Sequence, residues 1–259
     1  MAEVIRDQPV DGSVVFVHED GDVFVDALAE RIEARGHSTR KIRACEVASV
    51  SFRWEERRVQ IDGEQVSGLV FRASPDADFG LEFEEADVDF VNAEVKAIWL
   101  GLMQLPLPVL NRLDAEVWYS MSEWPVWRRR FVDCGIPVAP LVVGSGGRGE
   151  RTWLPWGGGK LPEPDAVSAR ALSCATTGAG EIEQVVFCEG EVLGHRSGHA
   201  LSRAARAAKS WGITLMGVAV NVRDEIVMAT SFPGLDETLI PAVSDRVAGR
   251  FDEALISRR

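Results

Sequence analysis

The sequence predicts an α/β fold. It opens with a short apolar run, a polar loop and apolar residues at helical spacing, which is the order of a strand–helix unit. Two further apolar runs flank Asp62-Gly63, a dipeptide typical of tight hairpins. Beyond residue 180, short apolar runs surround an Ala-rich segment, which predicts strands around a helix.

The first elements follow at short intervals. Residues 13–17 (Ser-Val-Val-Phe-Val) predict a strand, and the apolar residues from 23 to 32 predict a helix with Asp22 as its N-cap and Gly36 after its end. The elements predicted next are a strand from residue 38, a hairpin of 58–61 and 66–71, a helix of 91–105, a short strand or turn of 107–111, and a helix from about 122 that stops at Gly135.

Residues 144–165 break this pattern with seven glycines and three prolines. The elements predicted around this Gly/Pro-rich loop are strands at 138–143, 183–188 and 191–193, a helix of 200–211, a strand pair of 213–220 and 225–230, and a closing helix of 238–256. We divide the chain into two domains, 1–115 and 116–259, with the loop inside the second.

Composition excludes several classes of protein. The chain has 259 residues, 46% of them hydrophobic, which excludes disorder and fibrous structure. The net charge of −12 argues against binding to nucleic acid or to an anionic membrane. The four cysteines lack C-x-x-C spacing and no run of 18 apolar residues occurs, so we expect a cytoplasmic protein. Eight acids within 73–95 predict a solvated face, with a docking surface for a basic peptide as the alternative.

Motifs for nucleotide or metal sites are weak. Residues 144–149 match G-x-G-x-x-G, but no helix start follows to hold a pyrophosphate, and Lys160 lacks the first glycine of a P-loop. His195 and His199, with Cys188 upstream, have a spacing that suits zinc on a helix, but glycines interrupt that segment. We therefore expect no metal ligand and no catalytic residue among them.

The order of segments resembles the RimK-like ATP-grasp ligases. The resemblance rests on the opening strand–loop–helix ending in Arg-Gly, the strand ending at Phe71-Arg72, a helix led by Glu94, and the segments 108–111 (Pro-Val-Leu-Asn) and 134–138 (Cys-Gly-Ile-Pro-Val). In the second half, 185–193, 204–217 and 226–235 resemble the family's strand pair, its "GVD" stretch and its "EVNssPG" stretch. It implies a pre-ATP-grasp-like α/β domain followed by a reduced ATP-grasp-like α+β domain.

The family joins a carboxylate to an amine through an acyl-phosphate made from ATP, but the residues that this chemistry implies are replaced here. The position of an ATP-contacting lysine is Trp124, the "GVD" acid is Ala219, and the metal-binding Glu and Asn are Met228 and Thr230. Magnesium prefers hard anionic oxygens, which methionine and alanine lack. The stretch between residues 140 and 185, where the family has a small subdomain with a second lysine, is about half the expected size.

We therefore expect a catalytically degenerate ATP-grasp-like protein that binds or scaffolds a partner, with no cofactor. The expected partner is a protein or peptide, with an active ligase as one candidate, and a homo-oligomer is left open. Candidate ligand contacts are the arginines Arg72, Arg128, Arg129 and Arg130, although exposed charge without a ligand is the simpler interpretation.

The alternative is an active carboxylate–amine ligase with a rearranged Mg-ATP site. In that case the missing carboxylates would be supplied by acids near the altered strands, namely Asp224, Glu225, Asp236 or Glu237. A zinc-dependent hydrolase using His195 and His199 is the third hypothesis.

Overall fold

The computed structural model describes residues 12–55, 58–73, 88–120, 123–145, 172–176 and 182–258. Its elements in chain order are β1 (Ser13–His18), α1 (Val23–Glu33), β2 (Ser38–Arg43), a 3₁₀ helix (Ala44–Ser49), β3 (Phe52–Glu55), β4 (Arg58–Ile61), β5 (Glu64–Phe71), α2 (Val88–Gln104), β6 (Val109–Leu110), α3 (Ala115–Trp118), α4 (Glu123–Asp133), β7 (Leu141–Ser145), β8 (Leu172–Thr176), β9 (Ile182–Cys188), β10 (Glu191–Leu193), α5 (His199–Ser210), β11 (Leu215–Asn221), β12 (Ile226–Thr230) and α6 (Ile240–Ile256). The α/β class predicted from the sequence is confirmed.

The chain forms two compact units. The first unit contains Met1–Ala115 and Ile240–Arg259, and the second contains Glu116–Leu239. The C-terminal helix α6 therefore groups with the first unit, whereas the boundary predicted at residue 115 places it in the second domain. The physical reason is that α6 packs against α1 and β5, a long-range contact that local sequence pattern does not encode.

The first unit is built on a mixed sheet. Strand β1 pairs in parallel with β2 and with β5, so that Val15 lies opposite Arg40 on one side and Leu69 on the other. The second edge of β5 is shared: its first residues pair antiparallel with β4 and its later residues pair in parallel with β6. Strand β3 completes the sheet beside β4.

Capping and turn residues explain where α1 begins and where it ends. The Asp22 side chain accepts hydrogen bonds from the backbone N–H groups of Phe24 (3.1 Å) and Val25 (3.3 Å), as predicted for an N-cap. Gly36 follows the helix with φ of +84°, a left-handed conformation that glycine adopts without a steric penalty. The helix then buries Phe24, Leu28 and Ile32.

The second unit is built on an antiparallel sheet in the order β10-β9-β11-β12, with α4 packed against β12 and α5 against β9 and β10. The ring of Trp127 in α4 stacks on that of Trp211, the residue that follows α5, with centroids 5.9 Å apart. Strands β7 and β8 form a separate antiparallel pair.

Strand β7 begins at Leu141 rather than at residue 138. Val138 forms only an isolated bridge to Ile226, and Pro140 has no N–H to continue a ladder. Among the described helices, none is long and apolar enough to cross a lipid bilayer.

Candidate functional site

The strand pair β11–β12 carries the positions where the sequence resemblance implies metal ligands. Ala219 lies directly opposite Met228, and Gly217 lies opposite Thr230. Residues opposed in this way point to the same face of a sheet. Ala219 is buried, and it packs with Ala139, Val227 and the partly buried Met228 in an apolar cluster. A cluster of alkyl and thioether groups thus occupies the expected position of a magnesium site.

A carboxylate from α4 reaches this strand pair. The side chain of Glu123, the first residue of α4, accepts a hydrogen bond from Thr230 Oγ1 at 2.7 Å. Its second oxygen accepts from the Ser231 backbone N–H at 2.8 Å and from Trp127 Nε1 at 3.0 Å. Three donors therefore occupy the Glu123 carboxylate and fix its orientation.

Glu123 was not among the residues predicted from the sequence. Its only local signal is that of an acid in the first turn of a helix, where a negative charge is favourable. Nothing in that signal indicates a contact with Thr230, which lies 107 positions further along the chain.

Trp124 occupies the position where the resemblance implies a lysine. The indole is 3% exposed, and within the described part of the chain its Nε1 has no hydrogen-bond acceptor. A buried indole carries no positive charge for a phosphate, so its role differs from that of an ammonium group. Trp118 and Trp127 are also buried, which agrees with the core role that their residue type suggests.

The described residues around β11 and β12 do not fit a magnesium ion. Magnesium takes about six oxygen ligands in near-octahedral geometry, whereas Met228 and Ala219 offer none and Thr230 donates its hydroxyl proton to Glu123. No group of three potential metal-ligating His, Cys, Asp or Glu side chains occurs among the described residues. Oxygen ligands from this part of the chain are thus too few.

Three of the four acids named as replacement ligands have other partners. Asp224 Oδ1 lies 3.1 Å from Arg196 Nη1, and Glu225 Oε2 accepts from the Asn221 side-chain amide at 2.8 Å. Asp236 accepts from the Thr238 hydroxyl and backbone N–H, and these hydrogen bonds lower the pKa of its carboxyl below the ordinary value. Glu237 is exposed.

Arg128 is the arginine beside the apolar cluster. Its Nε donates a long hydrogen bond of 3.4 Å to the Ala139 carbonyl, and Ala139 packs against Ala219. No other acceptor for Arg128 occurs within the described ranges, and its side chain is half-buried. The guanidinium therefore retains N–H donors next to the strand pair.

Arg129 and Arg130 bind internally. Both donate to the Glu116 carboxylate, Arg130 at 3.2 Å, and these hydrogen bonds lower the pKa of Glu116 below its ordinary value. Arg130 also lies over the Trp127 ring, 5.0 Å from its centroid. Their charges stabilise the start of the second unit rather than pointing to an open ligand site.

Arg72 belongs to the first unit and forms a buried ion pair. Its Nε lies 3.0 Å from Asp22 Oδ2, and its guanidinium lies over the Phe24 ring at 5.4 Å. Because Asp22 also caps α1, the pair connects the end of β5 to the start of that helix. The geometry favours a structural role for Arg72.

The remaining sequence candidates are separated or lie outside the described residues. His199 begins α5, while His195 precedes the helix, so the two imidazoles do not share a helix face. Cys188 is buried in β9. Gly144 and Ser145 end β7, but the rest of the G-x-G-x-x-G segment and Lys160 lie beyond the described part.

No protein-family profile matches the sequence, and no curated protein is significantly similar to it. Solved structures, however, match the fold over nearly the whole chain. The ATP-grasp ligase PsnB, complexed with the precursor peptide PsnA2 and AMPPNP, is 16% identical with a TM-score of 0.64, and the match covers 98% of this chain and 99% of PsnB.

Two further solved structures agree. The macrocyclase MdnB from Microcystis aeruginosa MRC is 12% identical, with a TM-score of 0.62 over 92% of this chain and 99% of MdnB. A RimK domain ATP-grasp protein from Sphaerobacter thermophilus DSM 20745 is 14% identical, with a TM-score of 0.54 over 94% of this chain and 100% of the other. The chain has an ATP-grasp fold of the RimK-like type.

Proposed function

We propose that the chain acts in peptide modification by binding a peptide, and that it does not use a Mg-ATP site. The observation that carries this proposal is the apolar pairing of Ala219 with Met228, packed against Ala139 and Val227, where the family's acidic ligands are expected. Acyl-phosphate formation depends on a cation that neutralises phosphate charge. Because the described part of this chain lacks ligands for that cation, its proposed role is to bind a partner and not to activate the partner's carboxylate.

A peptide partner is supported by the structural neighbours. PsnB shares this fold and was solved in complex with a precursor peptide. Arg128, beside the apolar cluster, supplies a guanidinium that suits the carboxylate of a peptide, because its planar N–H groups match two carboxylate oxygens. The covalent step would then belong to an active ligase that acts with this chain.

Peptide binding is tested with fluorescently labelled peptides encoded by genes next to that of this chain. Fluorescence anisotropy should rise saturably for at least one peptide, and Arg128→Gln should weaken that binding by about tenfold, the size of one charge-assisted hydrogen bond. The matched control is Arg206→Gln, which removes one exposed charge from α5. Equal affinities of the two variants would remove Arg128 from the proposal, and no binding by any such peptide would refute it.

A second function, an active ligase with a rearranged site, is favoured by one observation. The Glu123 carboxylate reaches Thr230, the position of a family ligand. The two functions differ in ATP turnover, measured as phosphate release in the presence of magnesium and the neighbouring peptides. The ligase requires turnover by the unmodified protein that Glu123→Gln abolishes, whereas the binding protein shows only the background rate in both.

A further inference from the structure

A cavity that carries positive charge lies in the first unit, between the end of α2, the start of β6 and the end of α6. The cavity there has a volume of about 300 Å³. Its lining is mixed, and Leu107, Val109 and Phe251 are among its apolar residues. Its charged groups are Arg112, Arg250 and Arg258, and no carboxylate lines the cavity among the described residues.

Three guanidinium groups at one cavity are unexpected in this chain. Acids exceed bases by 40 to 28 in the sequence, so a pocket with three arginines and no lining acid runs against the overall composition. Like charges repel, and the repulsion increases where water is partly excluded. Burial lowers the pKa of Arg112 below its ordinary value, and the charges of Arg250 and Arg258 lower it further.

Arg112 is held in a fixed orientation. Its Nη1 donates to the carbonyls of Met103 and Leu105, the latter at 2.8 Å, and its Nη2 donates to the carbonyl of Leu107 at 2.7 Å. A guanidinium has five N–H donors, and three acceptors leave two of them for a ligand. The carbonyls at the end of α2 therefore explain how Arg112 is oriented, but they do not explain why two further arginines line the same cavity.

We propose that this cavity binds an oxyanion group, a carboxylate or a phosphate, carried on a small apolar body. The oxyanion offsets the repulsion among the positive charges and accepts the two N–H groups that remain on Arg112, because a planar guanidinium matches carboxylate and phosphate oxygens. The apolar part contacts Phe251 and Val109. All lining residues belong to the first unit, so the site is separate from the β11–β12 strand pair and does not rest on the function proposed above.

The test is an NMR titration of the arginine Nε–Hε resonances in the full chain, at constant ionic strength set with chloride. One series uses inorganic phosphate and the other uses acetate, so that the two sources of the oxyanion are distinguished. We expect a saturable shift of the Arg112 resonance with at least one of them. The same experiment on Arg258→Gln should show affinity that is about tenfold weaker.

Arg258→Gln is suited to this test because Arg258 is exposed and follows the last turn of α6. The matched control is Arg206→Gln, which removes an exposed arginine from the second unit. The proposal is overturned if neither anion shifts the Arg112 resonance saturably. It is also overturned if Arg258→Gln binds as tightly as the control, since the shift would then report general screening of charge.

Discussion

The carboxylate of Glu123 accepts three hydrogen bonds beside the strand pair β11–β12. Thr230, Ser231 and Trp127 all donate to it, and it is only partly exposed. A buried donor left without an acceptor costs about 1–3 kcal/mol. Glu123 thus links the first turn of α4 to the end of β12 and stabilises the second unit.

Replacing Glu123 by glutamine tests this role. The amide keeps the shape but presents N–H groups to a site that holds three donors, so Glu123→Gln should lower the free energy of unfolding by about 1–3 kcal/mol. Urea denaturation measures the change. Glu237→Gln, at an exposed acid of the same unit, is the control and should change stability by less than about 0.5 kcal/mol. Equal stability of the two variants would show that the contacts of Glu123 are not stabilising.

The sequence predicted part of this site. The strands that carry Ala219 and Met228 were predicted from the sequence and are confirmed, whereas the replacement of family ligands at these two positions stays a prediction. The contact of Glu123 with Thr230 was not predictable, since it joins residues 107 positions apart and a glutamate at a helix start is common. The pairing of Arg72 with Asp22 was missed for the same reason.

At the scale of elements, local patterns predicted what local forces determine. The hairpin at Asp62-Gly63 forms with Ile61 opposite Glu64, and both residues of the turn have positive φ. Strand β3 (Phe52–Glu55) was not predicted, because it is an exposed edge of four residues with no alternation of buried and polar positions. The order of the strands depends on contacts distant in sequence, which periodicity does not contain.

The packing of α6 on β5 can be tested by substituting two glycines of the first unit. A Cβ at Gly68 would lie 3.0 Å from the Phe251 ring and 3.4 Å from the Pro108 carbonyl. Gly68→Ala should therefore destabilise the protein by about 1–3 kcal/mol through overpacking. A Cβ at Gly249, within α6, would have no neighbouring atom within 4 Å.

Gly249→Ala should accordingly stabilise the protein by about 0.5–1 kcal/mol, because alanine is favoured over glycine inside a helix. The thermal unfolding of the unit that both residues share measures the two changes in one experiment. Opposite signs are expected. If Gly68→Ala were as stable as Gly249→Ala, α6 would not lie against β5 as described.

For the whole molecule, similarity of the fold does not imply the same side chains in the site. The chain aligns with ATP-grasp ligases over nearly its full length, at identities of 16% or less in the three comparisons described above. A fold conserved at that level fixes where strands and helices lie but not which side chains a site contains. The strand pair β11–β12 is present, while Ala219, Val227 and Met228 within it belong to an apolar cluster.

Isothermal titration of the full chain with the non-hydrolysable nucleotide AMPPNP and magnesium measures whether the chain binds Mg-ATP. We predict no saturable heat at millimolar nucleotide, because Ala219, Met228 and Thr230 give the cation too few oxygen ligands. A saturable heat that disappears when magnesium is removed would contradict it.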